Sequence, residues 1–246
     1  MRVEDPATAG ASGPAASFEA QVAGIAALAE PVRRALYDHV VSEPEPVSRE
    51  QAAAATGVAR HVAKFHLDKL VDDGLLDFEY RRPPERRGPG AGRPAKVYRR
   101  SQREISVTLP ERHYELAGRL LAAAVTEAER DGGPVAEALQ RNARAAGRAL
   151  AHKARQRAGG RSGSAARHDA VLAVLGESGY EPRREPGGVS LVNCPFHALA
   201  RDYPDLVCGL NLDLLQGLVS GLDRTDLQAR LDPGPGRCCV RLDQAQ

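Results

Sequence analysis

Two helical patterns separated only by a turn at Thr56-Gly57 constrain this chain more than any other feature. The first begins at Ser48 and is Ala-rich, and Ser48 and Gln51 have the spacing of a capping box. The second runs from Ala59 to Asp73 with Val62, Leu67, Leu70 and Val71 inward, and Gly74 is placed to end it. Upstream, Val22, Ile25 and Leu28 mark one helix; after a break at Pro31, Val32, Leu36, Val40 and Val41 mark another, which Pro44 and Pro46 end. Downstream, Leu75–Arg82 and Ala95–Arg100 read as strands around a Pro/Gly/Arg loop. Helix, helix, tight turn, helix and two-stranded hairpin is the order of a winged helix-turn-helix.

The charge distribution points the same way, although the net charge is only +2. From Arg81 to Arg103 there are nine Lys/Arg against one acidic residue, Glu85. A second basic stretch, Arg141 to Arg167, has eight Lys/Arg and no acidic residue. Such density marks either a polyanion footprint or a solvated face. On the helix from Ala59, Arg60, His61, Lys64 and Asp68 face away from the apolar positions, so that helix is expected to enter a major groove. Phe65 either packs under the helix or touches a thymine methyl, and His66 reads as a packing residue. The expected DNA-contacting set is Ser48, Arg60, His61 and Lys64 with the hairpin cations Arg81, Arg82, Arg86, Arg87, Arg93 and Lys96. Arginines on the slim tip Gly90-Ala91-Gly92-Arg93-Pro94 suit a narrow minor groove.

Residues 1–17, rich in Ala, Gly, Pro and Ser, read as a disordered tail ahead of a DNA-binding domain at 18–105. Residues 110–160 read as two long helices, Glu111–Arg130 and Val135–Arg157, expected to form a dimerisation region through their Leu and Ala stripes. Residues 165–246 read as a small module of helices and short strands, giving an α+β chain overall. No apolar run approaches the roughly 18–20 residues that cross a bilayer, and the first residues lack the pattern of a signal peptide. The expected compartment is the cytoplasm, without a membrane partner. Paired carboxylates, a phosphate-cradling loop and a Ser/His/Asp grouping do not appear, so the chain is expected not to be an enzyme.

All four cysteines, Cys194, Cys208, Cys238 and Cys239, lie near the C-terminus. In a reducing compartment such clustering suits metal binding or redox chemistry more than disulfides. No C-x-x-C knuckle is present, so ligands would have to converge through the fold. Thiolates are soft ligands for iron–sulfur clusters or zinc. His197, three residues after Cys194, would share its face if that stretch is helical, and is the candidate fourth ligand. Free cysteines also serve as small buried hydrophobes, and neighbours on one strand point to opposite faces, so Cys238 or Cys239 is expected to be a packing residue.

Leu28-Ala29-Glu30-Pro31-Val32-Arg33-Arg34-Ala35-Leu36, Phe65-His66-Leu67-Asp68-Lys69-Leu70 and Gly74-Leu75-Leu76 resemble the ArsR-like winged-helix transcriptional regulators. The stretch Gly88–Tyr98, with Asn193-Cys194-Pro195-Phe196-His197 and Leu206-Val207-Cys208, is similar to the SufR-like branch of iron–sulfur-responsive repressors. That resemblance covers roughly residues 20–242. It implies a homodimeric repressor on operator DNA that senses an iron–sulfur cluster, or a metal or redox state, at its cysteines. The branch has four cysteines at even spacing; Cys194, Cys208 and Cys238 or Cys239 match the first, second and fourth. No cysteine stands near Gly221–Asp223, so Cys239, His197, Asp223 or an exogenous group would have to replace the third. The alternative is a winged-helix regulator with structural cysteines and an organic-ligand-responsive or unliganded C-terminal domain.

Overall fold

The computed structural model describes residues 17–81, 94–159, 163–222 and 225–244, and it divides into two units, Met1–Val107 and Thr108–Gln246. The chain mixes helix and sheet in both.

In the first unit, α1 (Phe18–Ala27) and α2 (Pro31–Ser42) are separated by the break at Pro31. The Glu30 carboxylate caps α2, accepting from Val32 N at 3.0 Å and Arg33 N at 2.6 Å, and Pro31 occupies a first-turn position where no amide is needed. Strand β1 (Val47–Ser48) leads into α3 (Arg49–Thr56). Ser48 Oγ accepts from Gln51 N at 3.2 Å, and Gln51 Oε1 accepts from Ser48 N at 2.8 Å, completing the expected capping box. Gly57, at φ +69°, makes the left-handed turn that a side chain would strain, and α4 (Arg60–Asp72) follows. Strands β2 (Leu76–Arg81) and β3 (Ala95–Arg100) pair antiparallel, and β1 adds to the far edge of β3, giving the order β1-β3-β2. Val47 opposite Tyr98 fixes that two-residue pairing. The core gathers Leu36 and Val40 of α2, Ala52 and Ala53 of α3, Ala63, Leu67 and Leu70 of α4, and Leu76 and Tyr98 of the sheet.

The second unit begins with α5 (Tyr114–Asp131) and α6 (Val135–Ala158), joined through Gly132 at φ +71°. Then come α7 (Ser164–Glu177), β4 (Pro182–Glu185), β5 (Gly188–Leu191), α8 (His197–Asp202), α9 (Pro204–Ser220), β6 (Leu227–Leu231) and β7 (Val240–Gln244). The four strands form one antiparallel sheet in the order β4-β5-β7-β6. Helix α6 packs against α5, α7 and above all α9. Its apolar row Ala138, Leu139, Ala143, Gly147, Ala151, Ala154 and Ala158 is buried within the chain itself. The stripe expected to form a dimer seam is therefore already covered, on the α6 side, by in-chain partners. The α6–α9 crossing is built on glycine. A Cβ added to Gly147 would lie 1.9 Å from Leu214 O, and one added to Gly217 would lie 2.2 Å from Arg144 O. Backbone meets backbone there, which no larger residue permits.

No helix among the described residues is long and apolar enough to cross a membrane.

Candidate nucleic-acid interface and thiol cluster

The first candidate site is the outer face of α4. Ala63, Leu67 and Leu70 are fully buried, which sets the inward direction. Arg60, His61, Lys64 and Phe65 are exposed. Phe65 does not pack under the helix; it is 65% exposed and meets the His66 ring edge-on at 5.2 Å between centroids. His66 is the packing residue of the pair. Its Nδ1 lies 3.5 Å from both Arg33 Nε and Glu30 Oε2 at the start of α2. Arg60 forms an ion pair with Glu50 of α3, and both side chains are largely in solvent, so that pair is weak and exchangeable. Ser48 is occupied as the cap of α3.

Asp68 and Lys96 stand elsewhere than the sequence suggested. Asp68 turns from the outer face of α4 to the sheet, where Oδ1 accepts from Lys96 Nζ at 2.6 Å and from Tyr98 Oη at 2.8 Å. Arg49 of α3 completes the cluster, donating Nε–H to Tyr98 Oη at 2.9 Å. The Lys96 side chain is only 14% exposed, and its ammonium also lies 4.1 Å over the Phe78 ring. Lys96, expected among the DNA-contacting cations, is instead a tie between hairpin and reading helix. Burial works against ionising Asp68, but the hydrogen bonds from Lys96 and Tyr98 and the nearby cations outweigh it and hold its carboxyl below the usual range. Burial first, and then Asp68, push the Tyr98 phenol up to about 12. Three elements are thus locked around one carboxylate, fixing the angle between α4 and the hairpin. Arg81 lies on β2 and pairs with Glu79 and, at 3.0 Å, with Glu45. Arg82, Arg86, Arg87 and Arg93 lie outside the described residues.

The second basic stretch is partly neutralised. Arg141 meets Glu127 at 2.9 Å, Arg144 meets Asp213 at 2.9 Å, and Arg157 meets Glu177. Those three of its eight cations link α6 to α5, α9 and α7.

The second candidate site is in the C-terminal unit. The chain leaving β5 is anchored at Asn193, whose Nδ2–H donates to Gly179 O at 2.5 Å and whose Oδ1 accepts from Arg112 Nη1 at 2.5 Å. Arg112 also donates to Cys194 O at 2.7 Å. Cys238 N donates to Leu191 O at 2.7 Å, which lays the approach to β7 beside the end of β5. Cys194 and Cys238 thereby become neighbours, and the charge of each of these thiols bears on the next: Cys238 on Cys194, Cys239 on Cys238 and on Cys208 of α9. All four are free thiols, Cys194 and Cys238 buried and Cys208 and Cys239 half-buried. Sequence spacing alone left their convergence open.

A residue the sequence did not single out holds this cluster. Asn211 is fully buried on α9, one turn after Cys208. Its Nδ2 donates to Cys238 Sγ at 3.1 Å and lies 4.0 Å from Cys239 Sγ, while Oδ1 accepts from the buried Tyr180 hydroxyl at 2.6 Å. Its place on the apolar face of α9, in line with Val207, Leu214 and Leu218, was the available signal.

The hydrogen bond to Cys238, then burial, push the Cys194 thiol far up; burial foremost raises Cys208. Cys238 is drawn down by Cys194, but Cys239 and burial prevail and push it up to about 11. These three groups are neutral thiols near pH 7. The donor chemistry suits a soft metal centre, but the placement is not that of a formed one. Among the described residues no three His, Cys, Asp or Glu side chains are arranged to hold an ion. His197, the expected fourth ligand, begins α8 and is exposed. Cys194 precedes that helix, so the two share no helical face.

Residues 28–77 match the family model for a helix-turn-helix domain, the type carried by DNA-binding regulators. No curated protein matches the sequence. Among solved structures, one match is the crystal structure of human N-acetylserotonin methyltransferase in complex with SAM. It is 18% identical over 66% of this chain, with a TM-score of 0.21, and this chain spans 58% of that enzyme's length. The expectation that this chain is not an enzyme is withdrawn: it rested on missing motifs alone, and the solved structure matched is that of an enzyme. A likeness at that TM-score supports neither a fold assignment nor an activity. What stands is a mixed helix and sheet chain with a helix-turn-helix domain near its N-terminus, whose partner class is DNA.

Proposed function

We propose that this chain is a sequence-specific transcriptional regulator, a homodimeric repressor of the winged-helix type. In this reading α4 lies in the major groove, and the β2–β3 hairpin follows the strands beside it. One observation carries it: within the helix-turn-helix match, α4 turns Arg60, His61, Lys64 and Phe65 outward while a carboxylate clamp sets its angle to the hairpin. Two copies would read matching half-sites. The thiol cluster is the sensing element, responding to a soft metal centre or to redox state. Its thiols must lose protons to bind a metal or form a disulfide. Burial opposes a bare thiolate, so the cluster changes state only when a partner compensates that charge.

The test of DNA binding is retention of the promoter fragment upstream of the chain's own gene. The Arg60→Ala, Lys64→Ala double variant should lose specific retention and keep its oligomeric state. Unchanged retention overturns the placement of α4.

A second reading, a regulator with structural cysteines, is favoured by the protonated, core-packed thiols. Protein purified without oxygen separates the two. Iron with sulfide, zinc, or a reversible thiol oxidation that alters DNA retention supports sensing. Metal-free protein whose DNA retention ignores thiol oxidants supports the structural reading.

A further inference from the structure

Arg60 and Lys64 are the cations of the first two turns of α4, yet neither stands at the centre of its outer face. At about 100° per residue, Phe65 and His61 fall within about 30° of the direction opposite the buried row Ala63, Leu67 and Leu70, whereas Lys64 lies about a quarter-turn round and Arg60 further still. The residue that would reach deepest into a groove is therefore a phenylalanine, 65% exposed in water. Its ring meets that of His66 edge-on, and His66 is itself held by Glu30 and Arg33. An apolar ring at the crest of a helix that enters a groove meets whatever apolar feature the groove floor presents. The apolar feature on the floor of the major groove is the C5-methyl group of thymine, which phenylalanine recognises by contact.

We infer that Phe65 is a specificity-determining residue that reads a thymine C5-methyl group in each half-site, with His61 one turn earlier beside it on the groove floor and Arg60 and Lys64 flanking toward the strands. This rests on the DNA-binding reading above and adds what the site requires of its DNA: a methyl-bearing pyrimidine under the middle of α4.

The full-length protein would first be used to select its preferred duplex from a randomised pool. Each thymine of the selected site would then be replaced, singly, by deoxyuridine, which removes the methyl group and leaves every hydrogen-bonding edge intact. Wild-type protein is expected to lose about fourfold in affinity at one or two positions per half-site, the worth of one buried methyl group. The Phe65→Ala variant should bind thymine and deoxyuridine sites alike, and Phe65→Leu should keep the preference. Wild-type binding indifferent to every replacement, a selected site without thymine beneath α4, or a Phe65→Ala variant that keeps the fourfold preference overturns the inference alone. Failure to enrich any duplex overturns the DNA-binding reading itself.

Discussion

The α6–α9 crossing makes a prediction with opposite signs at two glycines of the same unit. Gly147→Ala introduces a Cβ 1.9 Å from Leu214 O, 2.6 Å from Leu218 N and 2.9 Å from Gly217 C. All three are backbone atoms, so no rotamer change relieves the clash. Restoring an ordinary contact of about 3.5 Å requires the helices to part by about 1.5 Å, and a gap of 0.5–1 Å already forfeits roughly a quarter to a half of each dispersion well. Overpacking of this kind costs about 3 kcal/mol, toward the top of its usual range because backbone must yield. Alanine recovers about 1 kcal/mol through its better helix propensity, leaving a net loss of about 2 kcal/mol. Gly118 lies on the exposed face of α5 with nothing within 4 Å of an added Cβ, so Gly118→Ala should gain about 1 kcal/mol with no opposing cost. For a unit of this size the melting temperature should fall by roughly 4–8 °C in the first variant and rise by roughly 2–4 °C in the second. Scanning calorimetry of the full chain reads both, and hydrogen exchange of the α9 amides locates the first effect. A Gly147→Ala protein that melts at or above wild type would refute the backbone-contact account of this crossing.

Asp68→Asn keeps an acceptor for the Tyr98 hydroxyl but removes the charge that holds Lys96, and a third of the Asp68 side chain is exposed. A loss of about 1–2 kcal/mol is therefore expected in urea unfolding of the N-terminal unit. Because the folded carboxyl titrates below its unfolded value, its contribution is complete above about pH 4 and lost as pH falls through the folded value; the variant should flatten that acid limb. The thiols behave in the opposite sense. Cys238 holds its proton more tightly folded than unfolded, so the stability it adds is complete below about pH 8.5 and is lost, about 2–3 kcal/mol in all, as pH rises toward about 11. Melting of the reduced C-terminal unit between pH 8 and 10 should fall more steeply in wild type than in Cys238→Ala, and parallel curves would contradict the cluster's protonation state.

Much of the local architecture is legible in the sequence because its causes act over three or four residues. Ser48 and Gln51 announce their capping box, Gly57 and Gly74 end helices in left-handed turns, and Pro31 starts α2. On α4 the apolar period gives Leu67 and Leu70 their inward side, but the third buried residue is Ala63, while Val62 and Val71, expected inward, are only half-buried. Strand β1 and helix α8 carry too short a pattern to register, at two and six residues. Phe65 shows how far periodicity reaches: its position opposite the apolar row is in the sequence, and its exposure follows once Ala63, Leu67 and Leu70 are known to face inward.

The partners of each face were decided elsewhere. Asp68 shares a helical row with Arg60 and Lys64, yet its carboxylate goes to Lys96 and Tyr98 on a strand some thirty residues on, because the hairpin packs against that flank of α4. The Ala row of α6 could have met a second chain; Gly147 and Gly217 let α9 approach closely enough to cover it first. Cys194 and Cys238, with Cys239 packed against them, come into one core only because β5, α9 and the approach to β7 close on each other, where Asn211 donates to Cys238. Helical and strand periods specify which side of an element avoids water. Which surface meets that side depends on closing long loops against chain entropy, and on shape complementarity that exists only once the whole unit has packed.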